Sequence, residues 1–291
     1  PKQLQSRGQA AENILLLDHV IVTALGLEKK ESSLAYAVQK VRGEELNRVK
    51  EVNMITALAG KAAGVQVSKN SSGMGGSAKV SIRGVRSVAG DNQPLYVIDG
   101  VPMLNSTSEQ AYSAIGGTAN AGNRDGGDGI SNLNPEDVES ISILKGAPAA
   151  ALYGSQAANG VILITTKKGN TVGRRDIHFS TGLTFEKAFS LPEMQNSYGV
   201  SDVTDSWGEK ENLTVYDNLG DFFRTGLTSI TSVSVNSGND KLQTYFSYAN
   251  TTGRGILNEN KLSKHNINLR ETAVLFNSRL KLDLSLIHIS E

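Results

Sequence analysis

Two aspartates in a glycine-rich stretch are the first residues whose type and spacing could support chemistry. Asp125 and Asp128 lie in segment 122–129, which reads Gly-Asn-Arg-Asp-Gly-Gly-Asp-Gly. Carboxylate oxygens on a bendable backbone are ligands that Ca²⁺ accepts. The stretch lacks the ligand spacing of an EF-hand loop and occurs once, which favours an ordinary surface loop. We therefore predict no metal site and keep Asp125 and Asp128 as weak candidate ligands.

Catalytic nucleophiles and bases do not form a recognisable pattern. Ser155 follows Gly154, but no Gly-x-Ser-x-Gly sequence occurs and no base lies near it in the chain. The chain has no cysteine, and its four histidines are scattered singly, without the paired spacing of a zinc site. These absences predict a protein that is not an enzyme and has no cofactor. Hydrolysis by Ser155 is a remote alternative.

Charge and composition argue against a nucleic-acid-binding protein and against a disordered chain. Lys plus Arg and Asp plus Glu are 29 each, so the formal net charge is zero and a basic nucleic-acid-binding field is absent. Hydrophobic residues make up 38% and charged residues 20%, which favours a folded chain over a disordered one. Thirty glycines in 291 residues predict many tight turns.

The sequence shows neither a membrane-spanning helix nor a signal peptide. The longest apolar stretch, residues 14–25, is interrupted by Asp18 and His19 and falls short of the roughly 20 apolar residues that a spanning helix needs. The chain begins at Pro1, without a basic start that leads into an apolar segment. We expect that a leader is missing from the sequence.

Residues 35–173 have the mixed pattern of a small α+β domain. Apolar residues recur at helical spacing over 52–62, and residues 147–153 are rich in alanine. Period-two or continuous apolar runs predict strands at 79–83, 94–98, 141–144 and 160–166. The pair Asp99-Gly100 after one such run is a strong hairpin-turn signal. Asn134-Pro135 predicts the start of a short helix.

From residue 174 onward, apolar and polar residues alternate over at least five strand-length segments. The apolar positions include Ile177, Phe179, Leu183 and Phe185 in the first segment. The other face of a later segment carries Lys264, Asn266, Asn268 and Arg270. Such two-sided strands form either a soluble antiparallel sheet on a core or a membrane barrel with a polar lumen. Periodicity alone favours the commoner soluble sheet.

Several motifs in the α+β region follow one another in a fixed order. They include Ile82-Arg83-Gly84, residues 94–102 with Asp99-Gly100, residues 133–146 ending in Leu144-Lys145-Gly146, and residues 149–169 with Tyr153-Gly154. Together they resemble the plug domain of TonB-dependent outer-membrane receptors of the SusC/RagA branch. Gln195-x-x-Tyr198-Gly199, Ser206-Trp207-Gly208 and Phe222-Phe223-x-Thr225-Gly226 are similar to the first barrel region of that branch.

A short β-rich segment near the start resembles the TonB box of the same branch. Residues 17–26 read Leu-Asp-His-Val-Ile-Val-Thr-Ala-Leu-Gly, with His19 where the branch usually has an acid. The candidate box residues are Asp18, His19, Val20, Ile21, Val22, Thr23 and Ala24. The resemblance implies that this segment pairs with TonB as an added strand, an interaction that depends mainly on main-chain hydrogen bonds.

The resemblance implies an α+β plug domain followed by antiparallel strands of an incomplete transmembrane β-barrel. Residues 1–34 would be a linker with the TonB box, 35–173 the plug, and 174–291 the first barrel strands. The apolar positions would then face outer-membrane lipid, and Lys264, Asn268, Arg270 and Lys281 would face the lumen. The characteristic plug residues would be Arg83, Gly84, Asp99, Gly100, Lys145, Tyr153 and Gly154.

The resemblance further implies active import of a large nutrient, a glycan oligomer or a peptide, across the outer membrane of a Gram-negative, Bacteroidetes-like bacterium. TonB with its ExbB/ExbD motor would supply energy, and a SusD-like lipoprotein would cap the barrel. No nucleic acid is involved. The alternative is a soluble carbohydrate-binding or adhesion module built on an antiparallel β-sheet.

The length predicts that the sequence is a piece of a larger protein. A 22-stranded barrel at about 10 residues per strand needs roughly 220 strand residues, whereas segment 174–291 has 118 residues in all. An open membrane sheet leaves a bare edge, so we expect that this chain does not insert or transport by itself. Residues 285–291 resemble a translated adapter sequence, and we expect that they are not native.

Overall fold

The computed structural model describes residues 20–22, 28–30, 38–69, 74–87, 92–103, 105, 107–109, 125–171, 173–193, 195, 197–200, 202, 207–211, 217–276 and 279–290. The strands in these ranges are, in chain order, β1 Val20–Val22, β2 Glu28–Lys30, β3 Val38–Arg42, β4 Val65–Lys69, β5 Ala78–Ile82, β6 Leu95–Ile98, β7 Val101–Met103, β8 Thr107–Glu109, β9 Asp125–Asp128, β10 Val138–Leu144, β11 Val161–Thr166, β12 Arg175–Glu186, β13 Gly226–Gly238, β14 Leu242–Arg254, β15 Lys261–Leu275 and β16 Leu280–Ser290. The α-helices are α1 Gly43–Leu46, α2 Met54–Ala57, α3 Ala147–Tyr153 and α4 Asn218–Phe222.

A five-stranded mixed sheet organises the α+β domain. Its strand order is β3-β10-β11-β6-β7, with β11 parallel to β6 and the other neighbours antiparallel. The central strands β10 and β11 are buried on both faces, and β11 accordingly begins with a continuous apolar run over 161–164. The strands predicted at 79–83, 94–98, 141–144 and 160–166 all form, and α3 occupies the predicted residues 147–153.

The apolar core lies between this sheet, the β4–β5 hairpin and the short helices. Ile55, Leu58, Ile141 and Ile162 are all fully buried in it. The helix predicted over 52–62 is much shorter than expected, because α2 ends at Ala57 and tight turns follow. Its apolar residues still reach the core through these turns.

The Asp99-Gly100 hairpin turn is confirmed. It joins β6 to β7, with Ile98 opposite Val101. Asp99 has φ 48° and Gly100 has φ 89°, so both central residues adopt the left-handed conformation that a two-residue hairpin turn requires. Glycine adopts this conformation without strain, and aspartate tolerates it better than most residues.

The second part of the chain is a meander of long antiparallel strands in the order β12-β13-β14-β15-β16. Every neighbouring pair is joined in continuous register, for example Glu186 with Gly226 and Arg270 with Ser285. Residues 239–241 join β13 to β14, and β15 is joined to β16 at the same end of the sheet. Residues 187–225 and 255–260 connect the strands at the other end.

The two faces of this sheet contradict a soluble β-sandwich. The apolar face is solvent-exposed, with Ile177 at 74% and Phe185 at 70% exposure. The polar face is buried against the α+β domain, with Asn268 and Thr272 at 1%. A soluble sheet buries its apolar face, so the soluble-sheet interpretation was wrong. The pattern is that of a barrel wall with a lipid-facing exterior and a polar lumen.

Side chains of the last strand, β16, alternate regularly between the two faces of the sheet as far as Ser290. Lys281 shares the inward face but stays exposed, whereas Asp283 pairs with Arg270. Ile287 and Ile289 lie opposite Asn268 and Asn266 and are half-buried on the same inward face. The apolar residues at these inward positions are therefore a change of residue type on a strand whose pairing stays regular. That residues 285–291 are not native stays a prediction.

None of the helices in the described ranges has the length and apolar character that a membrane-spanning helix needs.

The core arrangement predicts that Ile141→Ala lowers the free energy of unfolding of the α+β domain by about 2–5 kcal/mol, because Ile141 is fully buried in a packed cluster. Urea unfolding of this chain measures the change. Val85→Ala is the control at a residue 72% exposed, and we expect it to stay within about 0.5 kcal/mol of the wild type. Equal losses for both variants would contradict the assigned core.

Candidate functional site

The functional site built by this fold is the contact between the α+β domain and the inward face of the meander. We call it the polar seam. Its residues are Lys50, Asp99, Ser131, Asn132, Glu136, Asp137 and Thr166 from the α+β domain and Ser180, Tyr245, Ser247, Lys264, Asn266 and Arg270 from the meander. The contacts across it are hydrogen bonds and ion pairs.

Asp137 forms the centre of the polar seam. Its side chain accepts a hydrogen bond from the Tyr245 hydroxyl at 3.0 Å and another from the Ser247 hydroxyl. The residue is 2% exposed, at the end of a 3₁₀ turn whose first residue is Pro135. Burial raises the pKa of Asp137, although the two hydroxyls and the nearby Lys167 ammonium act in the opposite direction.

Arg270 connects three strands through its guanidinium. Nη1 lies 2.9 Å from Asp99 Oδ1 and donates to the Thr166 hydroxyl at 2.7 Å. Nε and Nη2 donate to the two carboxylate oxygens of Asp283 at 3.0 and 2.8 Å. The Arg270 side chain is 5% exposed, so the two carboxylates neutralise a charge that has lost most of its water. Arg270 thereby ties the Asp99 turn to the wall.

Lys264 and Asn266 hold the turn that precedes Asp137. Lys264 Nζ donates to the Ser131 carbonyl at 3.0 Å, and Asn266 Nδ2 donates to the Asn132 carbonyl at 2.6 Å. Both side chains belong to residues buried to 4% exposure. These two donors bond to backbone carbonyls that would otherwise be buried without a hydrogen-bond partner, because the plug and the wall exclude water there. The predicted inward orientation of Lys264, Asn268 and Arg270 agrees with the structure.

Lys50 bridges the first meander strand to the same turn. It forms an ion pair with Glu136 and donates to the Ser180 hydroxyl at 2.6 Å. A side chain at Gly182 would collide with the Lys50 stem, so glycine at this inward position lets Lys50 pass. Burial lowers the pKa of Lys50, and the positive charge of Lys167 lowers it further.

Five of the seven characteristic plug residues lie away from the polar seam, within the α+β domain. The Arg83 N–H donates to the Gly64 carbonyl at 2.8 Å, and Gly84 follows in the same turn. Lys145 donates to Gln39 at 2.8 Å and to the Ala63 carbonyl. Burial, followed by the charge of Arg83, lowers the pKa of Lys145.

Tyr153 and Gly154 also belong to the α+β domain. Tyr153 is the last residue of α3 and packs on the smaller apolar cluster. The Gly154 N–H donates to the Ala150 carbonyl at 2.8 Å and closes the helix. Of the predicted plug residues, Asp99 therefore reaches the polar seam directly, with Gly100 completing its turn.

Asp128, one of the two weak metal candidates, accepts hydrogen bonds within the α+β domain. Asp128 is 3% exposed, and its carboxylate accepts from the Ser131 N–H at 2.8 Å and the Ala78 N–H at 3.3 Å. Asp125 lies opposite Glu109 in the β8–β9 ladder. Over the part of the chain that the structure describes, no three His, Cys, Asp or Glu side chains converge.

The candidate TonB box is described in part. Val20–Val22 form β1, which pairs antiparallel with β2. Asp18, His19, Thr23 and Ala24 lie outside the described residues. The backbone of β1 is extended, as the β-branched residues predict.

Sequence patterns did not reveal the role of Glu136 and Asp137. The two acids follow the helix start predicted at Asn134-Pro135, where the Asn134 side chain accepts from the Glu136 N–H at 3.2 Å. Their carboxylates, however, are buried and face the meander. The available signal was the row of inward polar residues on β14 and β15, which needs partners from another part of the chain.

We predict that Asp137→Asn removes part of the pH dependence of folding. An acid whose pKa is raised in the folded state binds its proton more readily when folded. Its contribution to stability is therefore fully present below the ordinary pKa of 3.8 and is lost as pH rises through the raised value. Urea unfolding from pH 4 to 8 measures this trend in the wild type. Asp240→Asn, at an exposed turn, is the control; identical profiles for Asp137→Asn and wild type would contradict the prediction.

We also predict that Arg270→Met destabilises the chain by about 3–5 kcal/mol, since it leaves two carboxylates without their cation. Urea unfolding again provides the measurement. The control is Lys261→Met on the same strand, whose exposed pair with Glu259 has side-chain exposures of 62% and 87%. An exposed pair contributes about 0–1 kcal/mol. Equal effects of the two substitutions would show that the Arg270 network does not stabilise the fold.

Comparison with known proteins identifies both parts of the chain. Residues 30–161 match the family model for the TonB-dependent Receptor Plug Domain. TonB-dependent receptor SusC of Bacteroides thetaiotaomicron is 31% identical over 284 residues, covering 93% of this chain and 26% of SusC. TonB-dependent receptor P26 of Formosa agariphila is 35% identical over 180 residues, covering 61% of this chain and 16% of that receptor.

A solved structure shows the same arrangement of domain and strands. The RagAB peptide importer in the open-open state has a TM-score of 0.69 at 25% identity, covering 93% of this chain and 32% of the matched chain. The chain thus spans about a quarter of SusC and about a third of the matched RagAB chain. The α+β domain is the plug and the meander is part of the barrel wall, and the chain belongs to the TonB-dependent receptors of the SusC/RagA type.

Proposed function

We propose that the complete receptor imports a large nutrient across the outer membrane with energy from TonB, while the plug closes the barrel. The observation that carries this proposal is the buried polar seam, which seats the plug against the barrel wall through Asp137, Lys264 and Arg270. A domain held in this way blocks free diffusion along the wall.

The hydrogen bonds and ion pairs of the polar seam suit a plug that must be displaced during import. A hydrogen bond contributes only about 0.5–1.5 kcal/mol net, since water replaces the lost partner when the groups separate. If the plug were held by apolar contacts, its displacement would expose hydrocarbon to water in the lumen. Polar groups are instead solvated when the plug and the wall separate. The plug can therefore be held firmly by many contacts and still be displaced by a mechanical pull.

The arrangement of loops supports an orientation in the membrane. Outer-membrane barrels have short periplasmic turns and longer extracellular loops. Segments 239–241 and 276–279 would then face the periplasm and segment 187–225 the cell exterior. In this proposal residues 1–34 are the linker with the TonB box, 35–173 the plug, and the barrel begins at 174.

The proposed docking site for TonB is segment 17–26. Strand β1 already has the extended backbone that strand addition uses, and main-chain groups provide most of that interaction. TonB and its ExbB/ExbD motor would act from the periplasm, where the linker lies. A pull on this segment is transmitted along the chain to β3, the edge strand of the plug sheet.

The proposed substrate is a glycan oligomer or a peptide, and the proposed surface partner is a SusD-like lipoprotein. The peptide class comes from the RagAB peptide importer, and the glycan class from the resemblance to the SusC branch. The barrel and the plug would form the transport path, and the lipoprotein would deliver substrate from outside.

Replacing Val20, Ile21 and Val22 by proline in the complete receptor should abolish TonB-dependent uptake and leave substrate binding unchanged. Proline removes the N–H groups that an added strand pairs with. The matched control replaces the same three residues by alanine, which keeps those N–H groups and should retain most uptake. Uptake of labelled substrate by cells provides the measurement, and undiminished uptake by the proline variant would reject the assigned TonB box.

A further inference from the structure

A cavity of about 510 Å³ opens between the plug and the barrel wall. The plug contributes Glu51, Asn53 and Lys69, and the wall contributes Glu186, Phe223 and Asn260. Glu186 is the last residue of β12, opposite Gly226, and the wall residues belong to strand ends and to the connections 187–225 and 255–260. The cavity therefore lies at the end of the barrel that the proposed orientation places outside the cell.

The positive charges that line the cavity are already neutralised by the plug. Lys50 pairs with Glu136, and Lys69 Nζ lies 3.0 Å from Glu51 Oε2. Glu186 forms no ion pair with any described residue. The charge left for a ligand is therefore one carboxylate.

The wall beside Glu186 is apolar and held in place. Phe223 forms a bridge with Leu257 and packs edge-on against Phe222, with ring centroids 5.2 Å apart. The next residue, Arg224, donates to the carbonyls of Gly255 at 2.9 Å and Asn260 at 3.2 Å. An aromatic ring on a fixed backbone beside a carboxylate suits the methylene stem and charged head of a lysine or arginine side chain.

The connection that begins directly after Glu186 carries a net charge of the same sign. Segment 187–225 contains seven Asp or Glu residues and three Lys or Arg residues, although the whole chain is neutral. Excess negative charge on a segment joined to the cavity wall at Glu186 and Phe223 raises the local concentration of cations and repels anions. Acidic glycans are thereby disfavoured, and a neutral glycan gains nothing from this charge.

We infer that this cavity is a subsite for a lysine or arginine side chain of the transported molecule, so that the substrate class is a basic peptide. The inference rests on the proposed import function and narrows its substrate. Glu186 accepts hydrogen bonds from the ammonium or guanidinium group, Phe223 contacts the stem, and Asn260 offers its amide group to the peptide backbone.

The test is calorimetric binding to the complete receptor in detergent, which needs no TonB. The probes are a synthetic heptapeptide with one central lysine and the same peptide with norleucine in its place. Glu186→Gln should weaken binding of the lysine peptide about tenfold, or about 1.4 kcal/mol, and leave the norleucine peptide unchanged. Glu186→Lys should transfer the preference to a peptide with a central glutamate. Asp240→Asn, at the opposite end of the meander, is the control that should change neither peptide.

Equal affinity of wild type and Glu186→Gln for the lysine peptide would overturn the inference. The inference would also be overturned if a neutral malto-oligosaccharide bound more tightly than the lysine peptide and its affinity were unaffected by Glu186→Gln. Uptake by cells with and without TonB is measured separately. Binding that depends on Glu186 without TonB-dependent uptake would support the subsite and reject the import function, whereas uptake that is indifferent to Glu186 would do the reverse.

Discussion

The barrel strands turn a row of polar side chains toward the lumen, and each needs a hydrogen-bond partner once the plug displaces water from it. The plug provides partners for several of them from two places, the turn that ends at Asp137 and the hairpin turn at Asp99. Arg270 and Lys264 reach across from the wall to the plug. The position of the plug and the burial of the inner face both depend on this complementarity.

The outward face follows from the same constraint. Side chains of a strand alternate between faces, so a wall that presents Lys264, Asn266 and Arg270 to the plug must present the residues between them to the exterior. Those positions carry apolar residues such as Ile267 and Leu269. An apolar exterior with a polar interior is stable only where lipid replaces water outside, which is why this sheet requires a membrane.

Local patterns predicted much of the fold. Four strands of the plug and the Asp99-Gly100 turn follow from propensity and alternation over a few residues, whereas the inward orientation of Arg270 follows from the resemblance to the receptor family. Periodicity alone could not show whether the apolar face of the strands packs on a protein core or faces lipid. It therefore favoured a soluble sheet, and only the resemblance of the plug motifs indicated a barrel wall. It also could not show that Asp137 meets Tyr245, because those residues are 108 positions apart. Such pairings depend on the docking of two domains.

The central claim is that specific polar pairs couple the plug to the wall, and a double-mutant cycle between Asp137 and Tyr245 tests it most directly. The free energy of unfolding would be measured for Asp137→Asn, Tyr245→Phe and the double variant. Groups in one buried network show coupling energies of about 0.5–3 kcal/mol. We expect a coupling of about 1 kcal/mol or more, with the double variant losing less than the sum of the single losses. Strict additivity would contradict the account.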